Sequence, residues 1–390
     1  MLYRGLLVLL GLNQTLVLAF LPELSLLLGF SHSEKDLGFV ALVLNINLIS
    51  YWFGVTFWGS KLSKLGLWRS TVLAISGFLL ANLVFCLTLF VSESPSLLLV
   101  SASRLLLGLF SSAFIILAHS YLAIINNSNV GQLAKTSGSI TIGRLLGPCI
   151  ALLPLVGLWV LSAPVLFALI ALIYCLVAKS SWPAEIEQNK PLATPSSLSE
   201  YLPFKYILLL AVFTTSLVSM VQYLILPLLI GFGYQGAQAT KIYASLLLYL
   251  SVIIIVYQFV LLPLFARSQA RLPAVLVGSL LVGVLLLSVP LSNWSFVLLA
   301  LAVMAFAISG LPSWYSQQAY LNNPTLSFRA KRSAFLARAH TAGYLIGTAV
   351  ASASLMLGIP LLTPIWVFSL AMVALVLVVN QHARLQPAPN

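Results

Sequence analysis

Apolar residues run along the chain in twelve stretches separated by short polar segments. A helix needs about 20 apolar residues to cross the hydrocarbon core of a bilayer, so each stretch predicts a transmembrane helix. The pattern therefore predicts an all-α integral membrane protein. The predicted spans are 5–28, 38–58, 70–92, 97–122, 136–156 and 159–179 in the first half, and 205–231, 240–264, 273–290, 295–318, 334–358 and 364–380 in the second.

Charged residues are scarce throughout the chain. Of 390 residues, 19 are Lys or Arg and 7 are Asp or Glu, which makes 7% charged, whereas soluble domains carry about 25%. Hydrophobic residues make up 61% of the chain. So few polar groups cannot cover a water-exposed surface, which excludes a soluble fold, a disordered chain and a nucleic-acid-binding domain. We therefore expect the chain to contact the lipid bilayer and no nucleic acid.

The longest polar stretch lies between the sixth and seventh spans and predicts a linker. We expect a six-helix bundle at 1–180, a cytoplasmic linker at 181–204 and a second six-helix bundle at 205–390. Fifteen basic residues fall in segments on one side of the predicted membrane, and two, Lys35 and Lys241, fall on the other. The positive-inside rule then predicts that both termini are cytoplasmic. Most of the net charge of +12 follows from this topology.

The two halves share short patterns. Gly143-x-x-x-Gly147 in the fifth span has a counterpart in Gly343-x-x-x-Gly347 of the eleventh, 200 positions later. Parallel repeats of this kind are typical of transporters whose binding site lies near the middle of the membrane, between two pseudo-symmetric bundles.

Three further features stand out against the apolar background. The turn after the second span has a glycine at each end and two lysines between them, which suits a tight connection between helices. The fourth span holds an embedded cation, Arg104. In the fifth span, a proline follows directly after the glycine pair. The residues expected to act in conformational change are Gly59, Gly66, Gly143, Gly147 and Pro148.

Together these features resemble the major facilitator superfamily, specifically its twelve-helix drug:proton antiporter branch, over essentially the whole chain. The resemblance implies a monomer in the bacterial inner membrane that exports a small molecule in exchange for protons, with the proton gradient as energy source and no cofactor. In the turn, Ser63 stands where the family has an acid, which puts the family's charge lock in doubt. A Gly-x-x-x-Gly segment also occurs in ordinary helix packing.

Glu23 is the one acid of seven that falls within a predicted span. Counted at 1.5 Å per residue, Glu23 and Arg104 lie at similar depths, about 8 and 12 Å below the outer surface. We therefore predict that they form a pair and that Glu23 carries the proton. The alternative is that Glu23 is a solvated interfacial acid or a static partner of Arg104.

Cations outnumber acids in the predicted spans. Arg144, Arg338 and His340 lie within helices that the repeat places around a central cavity, where they would attract an anionic substrate. The alternative for Arg338 is an interfacial cation that reaches toward the membrane surface. We predict an amphipathic anion, such as an anionic drug, a carboxylate metabolite or a siderophore. Further predicted substrate-binding residues are Asn45, Tyr51, Gln222, Tyr257, Trp314 and Gln318.

Other functional classes lack their sequence patterns. The chain has no phosphate-binding Gly-x-x-x-x-Gly-Lys loop, no His-Glu-x-x-His and no Cys-x-x-Cys, so ATP-driven transport and a metal site are not expected. An enzyme would need a cluster of catalytic acids or histidines, so none is predicted. The alternative that stays open is an importer or facilitator of the same fold, which would take up an anionic solute or siderophore.

Overall fold

The computed structural model describes residues 2–31, 33–91, 95–124, 130–153, 157–178, 205–262, 271–289, 294–320 and 326–385, and these parts of the chain are helical without any strand. In the first half, a short 3-10 helix at Gly157–Ser162 precedes the last α-helix. The α-helices there are α1 (Leu2–Ala19), α2 (Leu21–Leu27), α3 (Glu34–Leu44), α4 (Asn47–Leu65), α5 (Leu67–Val91), α6 (Leu97–Ile124), α7 (Val130–Ala151) and α8 (Ala163–Val177).

The described parts of the second half hold six further α-helices. One turn of π-helix, Tyr257–Leu261, continues the second of them. Their bounds are α9 (Lys205–Gly231), α10 (Gly236–Val256), α11 (Leu272–Ser288), α12 (Trp294–Tyr320), α13 (Leu326–Leu357) and α14 (Leu362–Leu385).

Every predicted span overlaps one or two of these helices. Within the described ranges, nine helical segments are long and apolar enough to cross a membrane. The all-α membrane fold is therefore confirmed. The helices outside that set are α7 and α13, which carry more polar residues, and α11, which is shorter. The count of twelve spans stays a prediction for these three.

Two predicted spans are interrupted rather than continuous. The first breaks at Phe20, and Pro22 lies in the first turn of the new helix α2, where its missing N–H costs no hydrogen bond. The second breaks at Asn45 and Ile46, between α3 and α4. Ser33 begins α3 as its N-cap, since its hydroxyl accepts a hydrogen bond from the Asp36 amide at 3.2 Å.

The chain divides into two compact units. The first unit is Met1–Thr194 together with Leu229–Leu248. Within it α1 packs along α7, α6 packs on α4 and α5, and α8 packs on α5. Its core includes the buried rings of Phe78 and Phe114.

The second unit is Pro195–Leu228 together with Tyr249–Asn390. In this unit α11 packs on α12 and α14, and α12 packs on α13. The predicted linker at 181–204 lies outside the described residues, and the predicted division at 180 and 205 stays a prediction.

Candidate functional site

In the first unit, the glycines of the fifth span let α7 lie directly against α1. A Cβ on Gly143 would lie 2.8 Å from the Leu12 nitrogen and 2.8 Å from the Val8 carbonyl carbon. A Cβ on Gly147 would lie 2.8 Å from the Leu16 nitrogen. Ordinary carbon contacts are longer, so no larger residue fits at either glycine without separating the helices. The α7 helix continues through Pro148, which is buried three residues before its end.

The second unit repeats this crossing between α13 and α9. A Cβ on Gly343 would lie 3.0 Å from the Val212 Cα, and one on Gly347 would lie 2.6 Å from the Ser216 Cα. The Ser216 hydroxyl donates to the Gly343 carbonyl at 2.9 Å. Two glycines four residues apart therefore bring a helix onto the first helix of its own half in both units.

The positions in the two crossings correspond. The α13 glycines lie 200 residues after the α7 glycines, and Val212 and Ser216 lie 204 residues after Val8 and Leu12. This supports the internal repeat that the sequence suggested. It also weakens the link between Gly143, Gly147 and the antiporters, because the same packing occurs in a half that carries no antiporter signature. Close helix packing accounts for these glycines in both units.

Arg104 occupies the break in the second span. Its Nε donates to the carbonyl of Leu44, the last residue of α3, at 2.7 Å. Its guanidinium lies 5.6 Å from the centre of the Phe85 ring. The end of a helix leaves its final carbonyls without intrahelical donors, and Arg104 supplies a donor to the one at Leu44. Asn45 also binds the end of α3, because its Nδ2 donates to the Ala41 carbonyl at 2.9 Å in addition to the backbone bond from its own amide. The embedded arginine thus supports a helix end as well as carrying a charge.

Gly108, four residues after that arginine, fixes the same region. A Cβ on Gly108 would lie 2.8 Å from the Asn47 carbonyl carbon, at the start of α4. One turn of α6 therefore contacts both sides of the break, at the end of α3 and at the start of α4.

The predicted pair of Glu23 and Arg104 is not formed in the structure. Glu23 lies in the short helix α2, beyond the break at Phe20. Its electrostatic partner there is Lys241 of α10. In the same region, Leu26 of α2 lies 3.8 Å from the Cβ position of Gly236 at the start of α10. The prediction failed because the residue count assumed a continuous first helix and ignored the carbonyls at the break in the second span, which draw the arginine away.

Two of the predicted substrate-binding residues come together in the first unit. Arg144 of α7 is half-buried, and Tyr51 of α4 is buried. The guanidinium charge lies within electrostatic range of the Tyr51 hydroxyl. A cation and a hydroxyl donor in the same region of a helix bundle suit a carboxylate or another anion.

Two side chains of the second unit also meet. The Tyr315 hydroxyl and His340 Nε2 are 2.7 Å apart, in a hydrogen bond that joins α12 to α13. Arg338 lies half-buried two residues earlier on α13. Arg332, nearer the start of that helix, donates from Nη1 to the Ala319 carbonyl at 2.8 Å.

The other predicted binding residues have mixed environments. Gln222 of α9 and Gln318 of α12 are half-buried, and Trp314 is 4% exposed. Tyr257 lies in the π-helical turn, with its ring 5.2 Å from that of Phe306 in an edge-on arrangement. All four residues belong to the second unit, and their role in substrate binding stays a prediction.

The predicted glycine turn after the second span needs a correction. Gly59 lies inside α4, in helical conformation. Gly66 alone makes the turn between α4 and α5, with φ of +76°, a conformation that favours glycine. Helix α4 extends further than its hydrophobic pattern indicated, so the first glycine is absorbed into it.

Asn13 is a buried polar residue that the sequence reading overlooked. It lies in α1 and is 2% exposed, and its Oδ1 accepts no hydrogen bond from any described residue. The signal in the sequence was the polar group Asn13-Gln14-Thr15, which interrupts the apolar first span.

Acidic residues are few in the parts of the chain that the structure describes. They are Glu23, Glu34 and Asp36, which fall within fourteen residues of one another near α2 and α3 of the first unit. The described helices of the second unit carry no acidic residue.

Comparison with known proteins supplies the fold. No protein-family profile matches the sequence, and no curated protein is significantly similar to it. Among solved structures, the D-xylose-proton symporter matches over 100% of this chain and 97% of its own, with a TM-score of 0.72 and 14% identity. The nucleoside transporter NupG matches over 99% of this chain and 100% of its own, with a TM-score of 0.62 and 16% identity. The chain has the fold of these transporters.

This fold is the one that the major facilitator resemblance implied. The drug:proton antiporter branch stays a prediction, since the two matched structures are described as a proton symporter and a nucleoside transporter.

Proposed function

We propose that the protein is a proton-coupled secondary transporter that moves a small anionic molecule across the membrane by alternating access. The single observation that carries the anion preference is Arg144, a half-buried membrane arginine within electrostatic range of the buried Tyr51. The transporter fold of the chain supports the transport activity itself.

Electrostatics supports an anion as substrate. A charge in the membrane interior costs at least about 2.5 kcal/mol, and an opposite charge at 4 Å contributes about 4 kcal/mol at an effective dielectric constant of 20. An anionic substrate would supply such a counter-charge to Arg144, Arg338 and His340, and a cationic one would be repelled. Arginine also binds carboxylates through two parallel hydrogen bonds.

The direction of transport has two candidates. Export in exchange for protons is what the antiporter resemblance implies, with anionic drugs, carboxylate metabolites or siderophores as substrates. Uptake is the second candidate, and the fold shared with a D-xylose-proton symporter favours it. The Gly-x-x-x-Gly segment of α7 is weaker evidence for export than the sequence suggested, because the same close helix packing occurs in both units.

Proton coupling is part of the proposal. Glu23 is a candidate proton carrier, with Lys241 rather than Arg104 as the charge beside it. Arg104 would contribute by holding the break of the second span through the Leu44 carbonyl. A proton that neutralises Glu23 would weaken its attraction to Lys241 and so link protonation to the contact between α2 and α10.

The test uses purified protein in liposomes loaded with the pH dye pyranine. Citrate, succinate, salicylate, uridine and D-xylose are added separately, with and without an imposed pH gradient. We expect at least one of the three anions to produce proton flux, and we expect none with uridine or D-xylose. Right-side-out and inverted vesicles then give the direction.

Arg144→Gln provides the critical variant, and Arg271→Gln is its matched control, because Arg271 is exposed at the start of α11. We expect the first to weaken the apparent affinity for the anion about tenfold, which equals about 1.4 kcal/mol, and the second to leave it unchanged. Equal flux from R144Q and wild type would contradict the anion site. Flux that ignores the pH gradient would contradict proton coupling.

A further inference from the structure

The contact between Tyr315 and His340 is the one described hydrogen bond between a tyrosine and a histidine side chain. Tyr315 is 0% exposed, whereas His340 is half-buried. The ring centroids lie 5.9 Å apart, so the rings meet through the hydroxyl rather than by stacking. The histidine is thus half-buried and is held by a hydrogen bond to a fully buried partner.

Few groups in the second unit can change charge near neutral pH. Its described ranges contain no Asp and no Glu. Lysine, arginine and tyrosine keep one protonation state near pH 7, and histidine is the side chain that changes charge between about pH 5 and 8. Among the side chains that the structure describes in this unit, His340 is the histidine.

We propose that His340 is a proton-binding site of the second unit, and that the proton it takes up reverses the hydrogen bond to Tyr315 and travels together with the anion. This inference rests on the proposed proton-coupled transport. It adds a proton site distinct from Glu23, and it gives the sign of the coupling.

The hydrogen bond must change direction when the histidine is protonated. In neutral His340 with its proton on Nδ1, Nε2 accepts from the Tyr315 hydroxyl. In the charged form, Nε2 carries a proton and donates, so the Tyr315 oxygen accepts and its own hydrogen turns to another acceptor. The connection between α12 and α13 is therefore different in the two protonation states.

The described ranges of the second unit contain neutral and basic residues and no acidic ones. From α12, His340 faces Tyr315. From α9, the residues that contact α13 near its glycine pair are the neutral Thr215, Ser216 and Ser219. On α13 itself lie Arg332, Arg338 and Tyr344. No acid of the described second unit compensates a proton on His340, whereas an anionic substrate would do so.

The sign of the coupling follows from linkage. If a bound proton raises the affinity for an anion, the anion raises the affinity for the proton by the same factor. Ligands that favour each other's binding move together, while exchange requires that they compete. The His340 site therefore favours symport of proton and anion over antiport.

The first experiment measures protonation directly and needs no substrate. The chain has four histidines, so protein labelled with 13C-histidine in detergent gives four NMR signals, and His340→Asn identifies the relevant one. We expect that signal to titrate between about pH 5 and 8. Tyr315→Phe should move its midpoint by roughly 0.5–1 pH unit, the equivalent of one hydrogen bond. Tyr249→Phe serves as the control that leaves it in place, because the Tyr249 hydroxyl donates to the Leu298 carbonyl, seventeen residues before Tyr315 on α12.

A His340 signal that does not change over this range, or a midpoint that Y315F leaves unaltered, would overturn the site.

The second experiment repeats the pyranine assay with the active anion at pH 5.5 and pH 7.5. We expect wild type to bind the anion more tightly at the lower pH, and His340→Gln to lose that difference while R271Q, at an exposed position, retains it. An H340Q variant with the wild-type pH profile, or tighter binding at the higher pH, contradicts the coupling. If no compound produces proton flux in wild type, the proposed function fails, and the NMR titration still decides whether His340 binds a proton.

Discussion

Replacing Gly143 with alanine tests the close packing between α7 and α1. The added Cβ would lie 2.8 Å from both the Leu12 nitrogen and the Val8 carbonyl carbon. Both are backbone atoms, so no side-chain rotation can relieve the contact. The Val8 carbonyl oxygen would lie closer still, so to reach ordinary van der Waals separation, near 3.4 Å, the two helices must move apart by more than about 0.6 Å, which disturbs the packing along the whole crossing.

The cost of such overpacking is typically about 1–3 kcal/mol. For a compact unit of 150–250 residues, each kcal/mol lowers the melting temperature by roughly 2–4 °C. Thermal unfolding in detergent, followed by tryptophan fluorescence, should therefore show G143A melting roughly 2–12 °C below wild type. We expect Gly343→Ala in the second unit to behave in the same way, since its Cβ would lie 3.0 Å from the Val212 Cα.

Gly138→Ala is the matched control, because Gly138 lies on the same helix and a Cβ there meets nothing within 4 Å. Alanine is the better helix former, so G138A should match or exceed wild-type stability. If G143A and G138A melt together, the close-packing argument is wrong. If G143A keeps wild-type stability and loses transport, the glycine acts in the conformational change, as the antiporter resemblance implies.

Two further predictions concern polar contacts. Arg104→Gln should lower the free energy of unfolding, measured by SDS titration, by about 1.5–3 kcal/mol, because it removes a charged donor from the Leu44 carbonyl. Glu23→Gln should change this free energy by less than about 0.5 kcal/mol. An equal loss in both variants would instead support the pair of Glu23 and Arg104 predicted from sequence. The hydroxyls of Ser219 and Thr348 are 2.8 Å apart, so a double-mutant cycle of S219A and T348V should give a coupling of about 0.6 kcal/mol, and zero coupling would argue that this bond contributes nothing.

Much of the fold was predictable because its cause acts locally along the chain. Each stretch of about 20 apolar residues must satisfy its backbone hydrogen bonds within itself in lipid, so the spans and the all-α class follow from hydrophobicity alone. The recurrence of the glycine pair at 143 and 343 was also visible, since a close crossing requires small residues at fixed spacing.

The candidate site was harder to predict, because it depends on where helices break and on which partner a side chain meets. Glu23 and Arg104 appeared to match in depth, yet a break at Phe20 separates the acid from its helix, and the carbonyl of Leu44 binds the arginine. Tyr315 and His340 lie 25 positions apart on different helices, and no spacing rule indicates that they meet.

The sequence by itself determined that the chain crosses a membrane as helices in two related halves, with cations outnumbering acids inside the spans. Those properties depend on residue type and on periodicity, which the order of residues contains. The tertiary structure decided which charges act together, replacing Arg104 by Lys241 beside Glu23 and joining His340 to Tyr315. Partners across a helix bundle are set by crossing angles and helix ends, and these arise only when the helices pack.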